Sequence, residues 1–177
     1  MKLLLKKIIP LTIFTLFALT GYAQQPAAPA AAPAPVPAAP PAPYGTPISL
    51  DMAKKAMTAA EAEARKNNWN VVIAIVDSGS QLVMLQRLDN TQYGSIDIAK
   101  GKATTAVNFR RPSKAFEDAI AGGGAGLRAL RIDGLMPLEG GIPIIVDGKI
   151  IGGIGTSGVL SSQDAQVSRA GADALKP

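Results

Sequence analysis

A glycine-rich turn near the carboxyl end of the chain carries the clearest suggestion of chemistry. The stretch Gly153-x-Gly155-x-x-Gly158 leads into a predicted helix that begins near Ser161 and has Asp164 in its first turn. Glycines allow another group to approach the backbone closely, and the free N–H groups at the start of a helix favour an anion. We therefore predict a small-anion site in the turn over residues 155–158.

The same glycine spacing occurs in dinucleotide-binding proteins, but their other requirements are not met. A Rossmann fingerprint needs a second parallel strand with an acidic residue about 20 positions further on. Only one helix is predicted between Gly158 and Pro177. A P-loop needs Gly-Lys-Ser or Gly-Lys-Thr, which does not follow the glycines. We expect neither site.

Three charged residues elsewhere are candidates for a ligand pocket. Asp77 and Arg87 flank a predicted hairpin, and Lys102 lies on a predicted helix. Each also has a simpler interpretation. Asp77 can form an Asx turn over residues 78–80, Arg87 can be solvated, and Lys102 can belong to the wet side of its helix. The residues alone leave both interpretations open.

The sequence contains no cysteine and no histidine. This excludes Cys–His and Ser–His–Asp catalysis, the usual zinc sites and the usual axial histidine of a haem protein. Any catalysis must use carboxylates, Lys, Arg, Tyr or hydroxyl groups, and any metal must accept oxygen, methionine or cofactor ligands. No nucleophile is paired with a base in a recognisable pattern, so the sequence favours binding over catalysis without deciding between them. We predict no metal site.

Two hairpins must position these residues. The apolar runs Ile142–Val146 and Ile150–Ile154 flank Asp147-Gly148, a strong signal for a two-residue hairpin turn. The β-branched run Val71–Asp77 predicts a strand buried on both faces, and Gln81–Leu88 predicts its returning partner. With the predicted helices, this pattern indicates an α+β domain with a mostly antiparallel sheet.

Helices are predicted from apolar spacing and capping residues. Ser49 is a good N-cap for a helix that continues to Asn67, Ser95 begins a second helix, and Ser113 begins a short third. The stretch Leu127–Met136 is ambiguous between a short helix and irregular structure. Because the strands beside Asp147-Gly148 are apolar on both faces, a partner subunit is the simplest cover for one of them. We expect a homo-oligomer.

The amino-terminal part reads as a targeting segment followed by a tether. Three lysines precede the apolar run Ile8–Leu19, and Gly21-Tyr22-Ala23 provides small residues for a signal peptidase. This run is too short to span a membrane. We predict a signal peptide over 1–23, a Pro/Ala-rich linker over 24–43, a folded domain over 44–177, and a periplasmic or secreted location without a membrane span after cleavage.

The net charge of +5 owes much to the predicted signal peptide. Without its three lysines the chain has 15 basic and 13 acidic residues. No basic block, aromatic ladder or recognition helix remains, so we do not expect a nucleic-acid partner.

Several motifs, taken together, resemble a known family. In chain order they are Val72-x-x-Ile75-Val76-Asp77-x-Gly79, Arg87-Leu88, Ile98-Ala99-x-x-Lys102-Ala103-x-x-Ala106, Gly140-Gly141-Ile142-Pro143-Ile144, Ile151-Gly152-x-Ile154-Gly155-x-Ser157-Gly158 and Gln163-Asp164. Their combination resembles the GlcG/HbpS family of haem-binding proteins over essentially the whole domain from Ser49 onward.

The resemblance implies a profilin-like antiparallel sheet with helices packed on it, assembly into oligomers, and haem or iron binding. Without histidine, haem iron would take an oxygen donor such as Thr or Tyr, and Arg or Lys would pair the propionates. The resemblance also implies that the charged candidates Asp77, Arg87 and Lys102 line one shared pocket. The predicted ligand-binding residues are Asp77, Arg87, Lys102, Gly155, Ser157, Gly158 and Asp164.

Two functions compete at this point. The first is an exported haem or tetrapyrrole binder, which at most promotes haem breakdown. The second is a binding protein or enzyme for a small carboxylate, held by the turn over 155–158 and a Lys or Arg side chain. A structural oligomer without a ligand is a third reading, and only the apolar strands favour it.

Overall fold

A computed structural model describes residues 40–176 of the chain. The predicted signal peptide and residues 24–39 of the predicted linker lie outside the described residues and stay predictions. Within 40–176, no helix combines the length and the apolar character that crossing a membrane requires.

The described domain interleaves helices with two β-hairpins. In order, its elements are α1 (Leu50–Lys66), β1 (Val72–Asp77), β2 (Leu82–Arg87), α2 (Ser95–Asn108), α3 (Lys114–Ala121), a 3-10 helix (Gly124–Arg131), β3 (Gly141–Val146), β4 (Lys149–Ser157) and α4 (Ser161–Asp173). The predicted hairpins are confirmed, although β4 continues three residues beyond the predicted end at Ile154, and the predicted helix starts are confirmed to within one residue.

The four strands form one antiparallel sheet in the order β2-β1-β4-β3. Its carboxy-terminal hairpin turns at Asp147 and Gly148, which have φ of 49° and 72°. Both values are positive, as a two-residue hairpin turn of this type requires. The α+β fold with helices packed on an antiparallel sheet is therefore confirmed.

Helices of the same chain cover both faces of the sheet. Ile73 and Ile75 of β1 join the large core beneath α1 and α4. On the other face, Val72 packs against Ala99 and Val76 packs against Val107, both from α2. This confirms the prediction that β1 is buried on both faces.

The same arrangement corrects the argument for a partner subunit. The strand β4 is buried from Ile150 to Ser157, and both α2 and α4 contact it. A domain of this size does cover both faces of its central strands, so their apolar character is no evidence for a second chain. Oligomer formation itself stays a prediction.

The ambiguous stretch 127–136 begins inside the 3-10 helix and continues as an irregular segment. Neither the 3-10 helix nor α3 contains a fully buried residue. Leu127, Leu130 and Ile132 are exposed. This part of the domain therefore presents apolar side chains to its surroundings, in contrast to the sheet.

Candidate functional site

The glycines of the predicted anion-binding turn are packed against the domain's own backbone. A Cβ atom on Gly155 would lie 2.2 Å from the carbonyl oxygen of Ala99 in α2. A Cβ atom on Gly158 would lie 2.3 Å from the carbonyl oxygen of Asn70. The close approach that these glycines permit is thus the approach of neighbouring elements, and their role in ligand binding stays a prediction.

Lys102 does not lie on the wet side of its helix, as the simpler interpretation proposed. Its side chain is 2% exposed, and its ammonium lies 2.8 Å from Oδ2 of Asp164, whose side chain is 3% exposed. The same ammonium donates to the carbonyl oxygen of Thr156 at 3.0 Å. The structure therefore brings two predicted site residues together as a buried ion pair between α2 and α4.

A polar network surrounds this ion pair. Thr156 and Ser168 share a hydrogen bond between their hydroxyl oxygens at 2.8 Å, and the Ser168 hydroxyl donates to the carbonyl oxygen of Gly140 at 2.7 Å. In the described part of the chain, every buried side-chain nitrogen and oxygen has a partner. The network is complete without a ligand, which is how buried polar groups lock elements together.

Burial acts directly on the carboxyl group of Asp164. Removal from water raises its pKa above the ordinary 3.8, while the Lys102 ammonium and the N–H groups of Val159 and Gly158 oppose that rise. These contacts favour the charged form against the effect of burial, and the carboxyl group is not presented to solvent. The geometry is that of a structural pair.

Asp77 forms the Asx turn of its simpler interpretation. Its Oδ1 accepts hydrogen bonds from the backbone N–H groups of Gly79 at 2.8 Å and Gln81 at 2.9 Å. Asp77 pairs with Gly152 at one end of the sheet, whereas Ser157 lies at the other. The five residue steps from Gly152 to Ser157 span roughly 17 Å of strand. The structure does not bring Asp77 to the other candidates.

Arg87 and Ser157 lie in one row across the sheet. Both pair with Val72, Arg87 from β2 and Ser157 from β4. Directly paired residues point to the same face, which here is the face covered by α2. The Ser157 hydroxyl donates to the hydroxyl of Ser95, the first residue of α2, at 3.2 Å. This row places one predicted cation beside the start of α2.

The sequence analysis missed Tyr93, a loop residue that contacts the Arg87 end of this row. The guanidinium carbon of Arg87 lies 4.7 Å from the centre of its ring, a cation–π distance. The tyrosine is 78% exposed. By contrast, the hydroxyl of Tyr44 donates to the carbonyl oxygen of Val107 at 2.9 Å. An exposed tyrosine in a loop is an ordinary feature of sequences, and only the stacking on Arg87 distinguishes it.

An exposed leucine follows the Ser157 end of this row in the sequence. Leu160, three residues after Ser157, is 69% exposed. The hydrogen bond between Ser157 and Ser95 joins the end of β4 to the start of α2. Leu160 follows the first of these residues in sequence, and Tyr93 precedes the second. We refer to Arg87, Tyr93 and Leu160 as the junction surface. It combines a cation, an oxygen donor and an apolar side chain.

Metal donors of the usual kind are not grouped anywhere in residues 40–176. No set of three or more Asp, Glu, His or Cys side chains there could hold a metal ion.

Comparison with known proteins places these observations in a family. Residues 48–173 match the family whose description reads Haem degrading protein HbpS-like. Protein GlcG of Escherichia coli strain K12 is 41% identical over 110 residues, which cover 62% of this chain and 81% of GlcG. A 15.0 kDa protein of Citrobacter freundii, from the dhaT-dhaS intergenic region, is 35% identical over 128 residues, covering 71% of this chain and 90% of that protein.

Solved structures show the same fold. A double mutant of HbpS from Streptomyces reticuli superposes with a TM-score of 0.67 and 33% identity, covering 81% of this chain and 98% of that chain. The complex of PduOC with heme also gives a TM-score of 0.67, with 26% identity and coverage of 73% and 96%. Because the family match extends over nearly the whole described domain, this chain belongs to the HbpS-like family.

Proposed function

We propose that this protein binds haem or a closely related tetrapyrrole at the junction surface. Membership of the HbpS-like family supports a ligand of this class, as does the likeness to a domain whose structure contains heme. The observation that carries the location is the exposed Tyr93 stacked beneath Arg87. No breakdown of haem is required by this proposal.

The donor chemistry of the junction surface fits a haem without a histidine ligand. Tyrosine is one of the side chains that hold haem iron axially in other proteins. Tyr93 is exposed and its ring is held in place by Arg87. The Arg87 guanidinium keeps donors free to pair a propionate, because its one backbone contact is a 3.4 Å bond from Nη1 to the Thr91 carbonyl oxygen. Leu160 supplies apolar contact for the macrocycle.

The buried candidates have a supporting role in this proposal. Lys102 and Asp164 are paired with each other, so they hold the middle of α2 against the first turn of α4. Ser157 fixes the junction through its bond to Ser95. No observation favours the alternative of a small carboxylate in the turn over 155–158, because its glycines contact backbone and the nearby lysine is already paired.

Titration with hemin tests the proposal. We expect a saturable shift of the Soret band at one hemin per chain. Arg87→Gln should weaken binding about tenfold, since a hydrogen bond to a charged group contributes about 1.5 kcal/mol. Arg131→Gln, a change of an exposed arginine on the 3-10 helix, is the matched control and should bind as the unmodified protein does. Equal affinities for both variants would remove Arg87 from the site.

We further propose that the protein is exported to the periplasm or secreted. Support comes from the lysines, apolar run and small residues at the amino terminus. Fractionation of expressing cells and amino-terminal sequencing of the product test it, with a mature chain that starts at Gln24 as the expected result. A product that retains Met1 in the cytoplasm would contradict it.

A further inference from the structure

A second concave surface lies on the outer side of the edge strand β3. It consists of two adjoining clefts of about 250 and 160 Å³. Both are lined by Pro112, Ile142 and Arg169, so the two form one continuous groove. We refer to it as the β3 groove. None of the seven predicted ligand-binding residues lines it.

The larger cleft of the groove is strongly basic. Arg110, Arg111 and Arg169 line it, together with Lys176. Asp173 also lines this cleft, and its Oδ1 forms an ion pair with Nζ of Lys176 at 2.6 Å. Within residues 40–176, no carboxylate lies within ion-pair distance of any of the three arginines. Three arginines thus line one cleft without a carboxylate counter-charge, although Arg111 Nε also donates to the Phe109 carbonyl oxygen at 3.1 Å. Guanidinium groups match carboxylate and phosphate oxygens in pairs.

Arg110 occupies the left-handed position that ends α2. Its φ is +52°, in the left-handed region, just after the C-cap residue Phe109 of α2. Glycine is the usual residue at such a position because a side chain makes this conformation costly. Arg110 accepts that cost, and its guanidinium carbon lies 5.7 Å from the centre of the Tyr44 ring.

The occupant of the groove is not an added β-strand. The outward N–H of Gly141 donates to the Ser113 hydroxyl at 2.9 Å, and the outward carbonyl of Gly141 accepts from the Ser113 N–H at 3.0 Å. Two residues further on, Pro143 has no N–H to offer. A register shift follows between Ile144 and Ile145. These features protect the edge of β3 from pairing with another chain.

The groove also has an apolar component but no axial donor for haem. Ile142, Pro143 and Ile145 line the larger cleft between the arginines, and Ile145 is 40% exposed. The lining of the two clefts includes no tyrosine, methionine or histidine. Its ligand therefore differs from the one that we propose for the junction surface.

We propose that the β3 groove binds a small organic anion that has an apolar body and at least two carboxylate or phosphate groups. The arginines pair the anionic groups, and the isoleucines contact the body between them. A single negative charge would leave guanidinium groups unused, and an anion without an apolar body would leave Ile142 and Ile145 in water.

Four probes separate charge from apolar contact in calorimetric titrations. They are 1,4-naphthalenedicarboxylate, 1-naphthoate, succinate and 1-naphthyl phosphate. We expect the naphthalenedicarboxylate to bind at one site per chain, more tightly than 1-naphthoate or succinate, and less tightly at high salt because charge pairing is screened. Tighter binding of 1-naphthyl phosphate than of 1-naphthoate would assign phosphate as the preferred group. The absence of saturable binding by all four probes overturns the proposal.

Substitutions locate the site and separate function from folding. Arg169→Gln should weaken binding of the naphthalenedicarboxylate about tenfold. Arg110→Gly removes a guanidinium and places the favoured residue in the left-handed position, so binding should weaken while the melting temperature does not fall. Arg128→Gln, at an arginine outside the groove lining, is the control and should leave affinity unchanged. Affinity that is the same in Arg110→Gly, Arg169→Gln and the control excludes the groove as the site.

Discussion

At the scale of single residues, the domain depends most on a charge pair that its sequence conceals. Lys102 and Asp164 are 62 positions apart, and nothing in the sequence around either residue predicts that it pairs with the other. The motifs that carry the family resemblance did select both residues, but as ligands. Their burial assigns them to the connection of α2, β4 and α4. Which polar residue on a helix is buried depends on what packs over it, and this cannot be read from helical spacing.

Breaking this pair from either side should destabilise the domain. Lys102→Met leaves a buried carboxylate and Asp164→Asn leaves a buried ammonium, so each should lower the free energy of unfolding by about 3–5 kcal/mol. The double variant leaves no charge, and its loss should be well below the sum of the two. Urea denaturation of the four proteins measures this coupling. Additive losses would show that the ion pair contributes nothing specific.

The pH dependence of Lys102→Met follows from the raised pKa of Asp164. Without the ammonium, burial raises this pKa further, so the folded carboxyl binds a proton at pH values where the unfolded carboxyl, near 3.8, has released it. The variant's stability should therefore be greatest near about pH 4 and should be lost as the pH rises through the folded pKa. The double variant with Asp164→Asn lacks the group. A parallel pH profile for the two proteins would contradict the prediction.

At the scale of elements, local sequence signals were sufficient to predict the helices and strands, but not to predict how these elements pack on one another. Asp147-Gly148 between two apolar runs predicted the carboxy-terminal hairpin because turn residues and strand alternation act over a few positions. Antiparallel pairing in the first hairpin also implied that Asp77, beside the turn, and Arg87, at the open end, would be separated. The site prediction overlooked this consequence. The covering of both sheet faces could not be predicted, since a run that is apolar at every position does not say which helix lies on which side.

The contact between β4 and α2 gives a prediction at this scale. Gly155→Ala places a methyl group within 2.5 Å of backbone atoms of Ala99 and Ala103, which cannot move without displacing the helix. We expect a loss of about 3 kcal/mol in the free energy of unfolding. Gly94→Ala is the matched control, because nothing lies within 4 Å of its added Cβ atom. Thermal denaturation that ranks the two variants equally would show that β4 and α2 are not in tight contact.

At the scale of the whole molecule, helices cover both faces of the sheet, whereas the 3-10 region leaves apolar side chains exposed. The exposed Leu127, Leu130 and Ile132 are the kind of apolar surface that a partner subunit covers. We propose that the predicted homo-oligomer forms through this region. Light scattering should give a multiple of the chain mass, Leu130→Glu should give the monomer, and Leu50→Glu, at an exposed leucine of α1, should not. A monomeric unmodified protein at micromolar concentration would exclude the oligomer.

We propose that Tyr93 would supply the axial oxygen ligand of a haem bound at the junction surface, and spectroscopy of the ferric complex tests this proposal most directly. Absorption and electron paramagnetic resonance spectra should carry the signature of a tyrosinate ligand in the unmodified protein and in Tyr44→Phe, which removes a hydroxyl elsewhere. In Tyr93→Phe, which keeps the ring beneath Arg87, that signature should vanish and hemin should bind more weakly. Identical spectra and affinities for Tyr93→Phe and the unmodified protein would contradict the account.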